Sequence, residues 1–183
     1  MIIGIIIAAV VLLLLFYVIG VRNKLTILTN KVDNEWSQIN ILLKKRFDLI
    51  PNLVETIKGY AKHESETFEK VISARNKCLS ATTPEESIAS NNELTNVVTR
   101  LFALSESYPE LKANTNFLDL QNQLKDIEDK IAYARQFYND CVLKYNNAVT
   151  LFPSNIVAGI FGFKKKVFFE VKEEERENVQ VKF

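Results

Sequence analysis

Hydrophobic and polar positions divide the chain sharply at residue 22. Residues 2–21 carry no charged side chain, and Ile, Val, Leu, Ala and Phe fill nearly every place. About 20 apolar residues at about 1.5 Å of rise reach about 30 Å, the hydrocarbon thickness of a bilayer. From residue 22 the pattern changes to a helical stripe: Leu25, Leu28, Val32, Trp36, Ile39, Leu43 and Phe47 recur at three- and four-residue steps. No Gly or Pro lies between residues 22 and 48. Nothing stops the apolar segment from passing straight into this stripe, so the pattern predicts one rod that crosses a membrane and enters a domain.

Asp48-Leu49-Ile50-Pro51 predicts the first break. Proline disfavours helix at Ile50 and fits a helix's first turn, with Asp48 as N-cap. A second helix then extends to about residue 80, with Leu53, Ile57, Tyr60, Ala61, Phe68, Val71 and Ile72 inward. Thr83, Pro84 and Glu86 spell a capping box with proline at the first helical position, the start of a third helix. It carries Ile88, Leu94, Val98, Leu101, Phe102 and Leu104, fades near Ser107, and gives way to a connector containing Pro109. The fourth helix has the strongest period: Phe117, Leu120, Leu124, Ile127, Ile131, Ala134, Tyr138, Cys141, Tyr145, Ala148 and Phe152 form a heptad seam. Burying such a seam contributes on the order of 15 kcal/mol gross, so it demands helical partners. Short connectors place neighbours antiparallel.

The predicted fold is all-α. A transmembrane anchor (residues 1–21) continues into an elongated antiparallel four-helix bundle (residues 22–152). A membrane-proximal apolar and basic segment and an irregular or short-β tail follow (residues 153–183).

The anchor presents Ile2, Ile5, Ile6, Val10, Leu13, Phe16 and Val21 to lipid. A cleaved signal would start with a basic region and have a shorter apolar core. Val18 and Gly20 are small enough to precede a cleavage point, but length and the missing basic region favour an anchor. Arg22, Lys24 and Lys31 follow the run and none precedes it, so the positive-inside bias leaves the N-terminus outside and the bundle in the cytoplasm. Gly4 and Ala8 form a small-xxx-small pair of the kind that brings two anchors together, a pattern that also arises by chance in so apolar a run.

Charge narrows the function classes. Lys and Arg number 23 against 22 Asp and Glu, a balance that argues against a nucleic-acid surface. Lys44-Lys45-Arg46 reads as a solvated face. Cys78 and Cys141 make no disulfide framework. Cys141 falls on the seam as packing, whereas Arg75 and Lys77 near Cys78 are placed to lower its pKa, with no general base in view. His63 is the single histidine; a zincin needs a second one turn on, where Thr67 stands. Neither a phosphate loop nor a nucleophile triad is legible. The sequence therefore predicts no enzyme, metal or cofactor.

One segment stands apart. Ser154-Asn155-Ile156-Val157-Ala158-Gly159-Ile160-Phe161-Gly162-Phe163 is followed by Lys164-Lys165-Lys166. With the fourth helix returning toward the bilayer, Ile156, Val157, Ile160, Phe161 and Phe163 are placed to dip into the interface. The three lysines would meet anionic headgroups at about 1 kcal/mol each. The other reading is that these residues cap the end of the bundle core.

Several motifs resemble the LemA family of bacterial membrane proteins. They are Asn34-Glu35-Trp36-Ser37-Gln38-Ile39, Lys44-Lys45-Arg46-Phe47-Asp48-Leu49-Ile50-Pro51-Asn52-Leu53-Val54, Lys58-Gly59-Tyr60-Ala61-Lys62-His63-Glu64, Tyr108-Pro109-Glu110-Leu111-Lys112-Ala113-Asn114 and Ala158-Gly159-Ile160-Phe161-Gly162-Phe163. The resemblance implies a single-pass, anchored helical bundle in a bacterial cell membrane, N-terminus outward, with no assigned catalysis. A magnetosome relative hints by analogy at membrane organisation. Family-type polar residues Asp48, Asn52, Arg75, Arg135, Asn139 and Asn146 are expected as inter-helix links, or alternatively as partner contacts. The function expected is a membrane-tethered scaffold engaging protein partners, the bilayer or further copies of itself. The alternative is an adaptor or regulator of a membrane enzyme such as a protease.

Overall fold

Without a helix breaker between residues 22 and 48, the apolar run and the amphipathic stripe form one helix, α1 (Ile2–Lys58), in the computed structural model, which describes residues 1–169. It is followed by α2 (Ser65–Ser80), α3 (Pro84–Ser105), the single turn α4 (Pro109–Lys112), α5 (Thr115–Thr150) and α6 (Ser154–Ile160). The described residues are all-α, with no strand among them. The expected short-β character of the tail falls mostly on residues 170–183, outside the described residues; residues 163–169 have no regular secondary structure.

The break expected at Pro51 does not occur. Pro51 has no N–H to offer the Phe47 carbonyl four residues back. That carbonyl instead accepts from Arg75 Nε at 2.9 Å, and α1 continues to Lys58. The chain turns after it at Gly59, a weak helix former, where the Tyr60 and Ala61 amides both donate to the Ile57 carbonyl. Tyr60, expected inward, lies in that turn and is 37% exposed; Ile72, also expected inward, is 39% exposed on α2, whose buried residues are Phe68, Val71, Ala74 and Cys78.

The chain forms two compact units. One comprises, among the described residues, Ile39–Arg135 and Phe169. Its buried side chains include Ile39, Leu43, Phe47, Ile50 and Ile57 of α1, Phe68 and Val71 of α2, Leu94 and Leu101 of α3, and Phe117 and Ile131 of α5. The Thr83–Glu86 capping box forms as the sequence predicts, with Pro84 opening α3. Asn114 caps α5 by accepting from the Phe117 amide at 3.0 Å, and its Nδ2 donates to Tyr60 Oη at 2.9 Å.

The other unit comprises Met1–Gln38 and Gln136–Phe168. Leu25, Val32, Tyr138, Val142, Tyr145, Val157 and Ala158 are buried in it, and Trp36 meets Tyr138 with ring centroids 5.5 Å apart. The α5 seam drifts here: Cys141 is half-buried and Val142 fully buried. A straight helix loses about 20° per heptad against a 3.5-residue repeat, which moves the buried position one residue on. Phe152, the last expected seam position, is 79% exposed because α5 ends at Thr150 and the chain turns outward.

Candidate functional site: the end of the apolar run of α1, with α5 and α6

The apolar run of α1 is long and apolar enough to cross a membrane, and no residue of its most apolar 18-residue stretch is buried. Ile2, Ile5, Ile6, Val10, Leu13 and Phe16 are exposed, while Val21 is half-buried. Toward the end of the run, α1 meets the last turns of α5. Tyr17, Val21, Lys24 and Leu28 share a cleft of about 650 Å³ with Lys144, Asn147, Leu151 and Pro153. The Arg22 guanidinium, the first charge after the apolar run, lies 5.3 Å from the Phe161 ring centre at the end of α6, within cation–π reach. The α6 turn thus sits beside the point where α1 changes from apolar to polar.

At this end Leu151, Phe152, Ile156, Ile160 and Phe161 are all exposed. Ile156 and Ile160 lie one helical turn apart on one face, whereas Val157 and Ala158 face inward and are buried. Val157, expected to face lipid, is therefore core: a seven-residue helix can offer only one face outward. Phe163 is half-buried, with its amide donating to the Ala158 carbonyl at 2.9 Å.

The lysine trio also divides. Lys164 and Lys165 are exposed, but Lys166 is half-buried and paired with Asp33 of α1. The backbone here is strapped along α5. Tyr145 Oη donates to the Lys164 carbonyl at 2.8 Å and Tyr138 Oη to the Val167 carbonyl at 3.0 Å. Asn146 is bidentate on residue 166: its Nδ2 donates to the carbonyl at 2.8 Å, and its Oδ1 accepts from the amide at 2.9 Å. Lys166 is thus a structural clamp, and two lysines face solvent.

The other polar residues singled out from the sequence behave differently from one another. Arg75 links α2 to the α1 backbone at Phe47. Asp48 pairs within α1 with Lys44, both exposed, and Asn52 is exposed. The Arg135 guanidinium stacks over Phe169 at 4.3 Å, and Asn139 is half-buried on α5.

The polar centre that sequence reasoning missed is Arg46. Rather than joining Lys44 and Lys45 on a solvated face, it is 4% exposed. Its Nη1 donates to Asn91 Oδ1 at 3.0 Å and Thr95 Oγ1 at 3.1 Å, and lies 2.9 Å from Glu128 Oε2. Burial lowers the guanidinium pKa, and Glu128 and the Cys78 thiol oppose that shift. The signal lies in register: Arg46 stands three residues after Leu43 and four before Ile50, on the buried stripe itself.

Cys78 also departs from expectation. Burial pushes its thiol pKa up, outweighing a Ser90 hydrogen bond and the nearby Arg46 charge, so its surroundings disfavour the nucleophilic thiolate. His63 is exposed, and among the described residues no group of three or more His, Cys, Asp or Glu converges as a metal site.

The model of the LemA family matches residues 35–183. A curated relative, Protein LemA of Metamycoplasma hominis, is 26% identical over 165 residues, covering 90% of this chain and 75% of its own. Magnetosome protein MamQ 2 of Paramagnetospirillum magneticum and Magnetosome protein MamQ of Magnetospirillum gryphiswaldense are each 35% identical over 77 residues. Those matches cover 42% of this chain and 28% of theirs.

Proposed function

The chain belongs to the LemA family, and from that premise we propose that it is a non-enzymatic, membrane-tethered helical scaffold. In this reading α1 spans the membrane with its N-terminus outside, and the rest forms an antiparallel helical bundle on the cytoplasmic side, where it engages protein partners or further copies. The observation that carries the membrane half is the position of α6: Ile156, Ile160 and Phe161 are exposed while Phe161 sits against Arg22 at the end of the apolar run. Side chains of this size contribute about 1.5–3 kcal/mol each when fully removed from water, so a shallow insertion of α6 adds a second grip beside the anchor. Lys164 and Lys165 face anionic headgroups at the same level. Two contacts set the bundle's angle to the bilayer, as a scaffold requires.

The test places an environment-sensitive fluorophore at position 160 (Ile160→Cys, with Cys78→Ala and Cys141→Ser) in full-length protein reconstituted into vesicles. Quenching by brominated lipid is expected, with a blue-shifted emission. Emission like that of a fluorophore in water would refute the second contact.

A second reading, an adaptor for a membrane enzyme such as a protease, draws on Tyr133 and Phe137. These aromatics lie one turn apart on α5 and are 66% and 61% exposed, and aromatic residues are enriched at protein interfaces. A stoichiometric membrane enzyme recovered with wild-type protein and lost with Tyr133→Ala/Phe137→Ala would favour it over the scaffold.

A further inference from the structure

The cleft between α1 and the end of α5 has the chemistry of a ligand site. Its volume of about 650 Å³ falls within the range of about 300–1,000 Å³ usual for small-ligand clefts. Two of its lining residues are lysines, Lys24 and Lys144, and no lining residue is acidic. Neither lysine enters an ion pair among the described residues. The remaining wall is graded: Tyr17 and Phe152 lie toward the apolar end of α1, whereas Lys24, Lys144 and Asn147 lie toward its polar end.

We propose that this cleft binds one anionic glycerophospholipid of the surrounding bilayer, its phosphate against Lys24 and Lys144 and its acyl chains leaving past Tyr17 and Phe152. The occupant follows from charge and place. Two uncompensated cations call for an anion, and an apolar opening beside a membrane-spanning segment suits an anion that carries hydrocarbon. A soluble phosphate would satisfy the lysines and leave the apolar wall wet. The inference rests on the membrane-tethered reading and adds a specific ligand class to it.

Native mass spectrometry of full-length protein in micelles containing equal phosphatidylglycerol and phosphatidylcholine tests it. One phosphatidylglycerol is expected to stay bound, and phosphatidylcholine is not. Each lysine–headgroup contact is worth about fivefold, so Lys24→Gln/Lys144→Gln should weaken retention about 25-fold by the same measure. Lys24→Arg/Lys144→Arg, which keeps both charges, should retain the lipid. Lys62→Gln/Lys125→Gln, both exposed and outside the cleft, should leave retention within about twofold by that scale. Equal retention of both lipids, unchanged retention in the double-Gln variant, or displacement by millimolar inorganic phosphate would overturn the assignment. Quenching at position 160 without phosphatidylglycerol retention overturns the cleft alone. Retention without quenching supports the cleft and removes the α6 contact instead.

Discussion

Pro51 and Arg75 offer the most discriminating perturbation. In a regular helix the amide at position 51 would donate to the Phe47 carbonyl; proline cannot, and Arg75 Nε takes that place at 2.9 Å. Arg75→Met keeps most of the side-chain bulk and removes the donor. Leaving a carbonyl unsatisfied costs about 1–3 kcal/mol, and because Arg75 is only half-buried the low end applies, about 1–1.5 kcal/mol. Pro51→Ala supplies a new N–H to Phe47 and relieves an interior proline, a gain of up to about 3 kcal/mol. In that background Arg75 no longer completes a missing pair, so Arg75→Met should cost under about 0.5 kcal/mol. The double-mutant cycle should therefore show a coupling of about 1 kcal/mol, beyond the about 0.5 kcal/mol scatter of independent sites. Urea denaturation of full-length protein in mild detergent, followed by far-ultraviolet circular dichroism, measures it. Equal costs of Arg75→Met in both backgrounds would refute the account of how α1 passes Pro51.

Other predictions follow from the same geometry. Arg46→Ala removes the donor shared by Asn91 and Thr95 and the ion-pair partner of Glu128; breaking a fully buried pair costs about 3–5 kcal/mol, and with Glu128 half-exposed about 2–3 kcal/mol is expected in the urea midpoint analysis. Asn146→Ala removes both bonds to residue 166 and should speed hydrogen exchange of the Lys166 amide without shifting global stability by more than about 1–2 kcal/mol. The Thr82 and Thr83 amides hold the Glu86 carboxyl below its ordinary pKa. A depressed native pKa gives stability present above the unfolded value and lost as pH falls through the native one. Acid should therefore destabilise wild type more than Glu86→Gln, and parallel pH profiles would contradict this. In native protein, Cys78 should be alkylated more slowly than the half-buried Cys141, and the difference should vanish in denaturant.

Much of the architecture is local and hence legible in the residues themselves. A run of about 20 uncharged apolar residues is long enough to cross a membrane as a helix, and the stripe after it has no Gly or Pro to stop that helix, so α1 through Arg22 is legible in sequence alone. The Thr83–Pro84–Glu86 signal satisfies its own helix end through bonds within four residues. The α5 period is legible because eleven positions repeat it, and it errs only where the helix drifts at Val142 and stops before Phe152.

What depends on partners distant in sequence was decided by packing. Whether Pro51 breaks a helix turns on a guanidinium from α2, 24 residues away, which no local rule supplies. Lys44, Lys45 and Arg46 look alike as a charge run, but their directions around α1 differ by about 100° per residue, and only Arg46 points where Asn91, Thr95 and Glu128 meet it. The same holds after α6. Three consecutive lysines read as one basic patch until Asp33 and Asn146 engage Lys166, because desolvation and pairing belong to a side chain's surroundings and not to its identity.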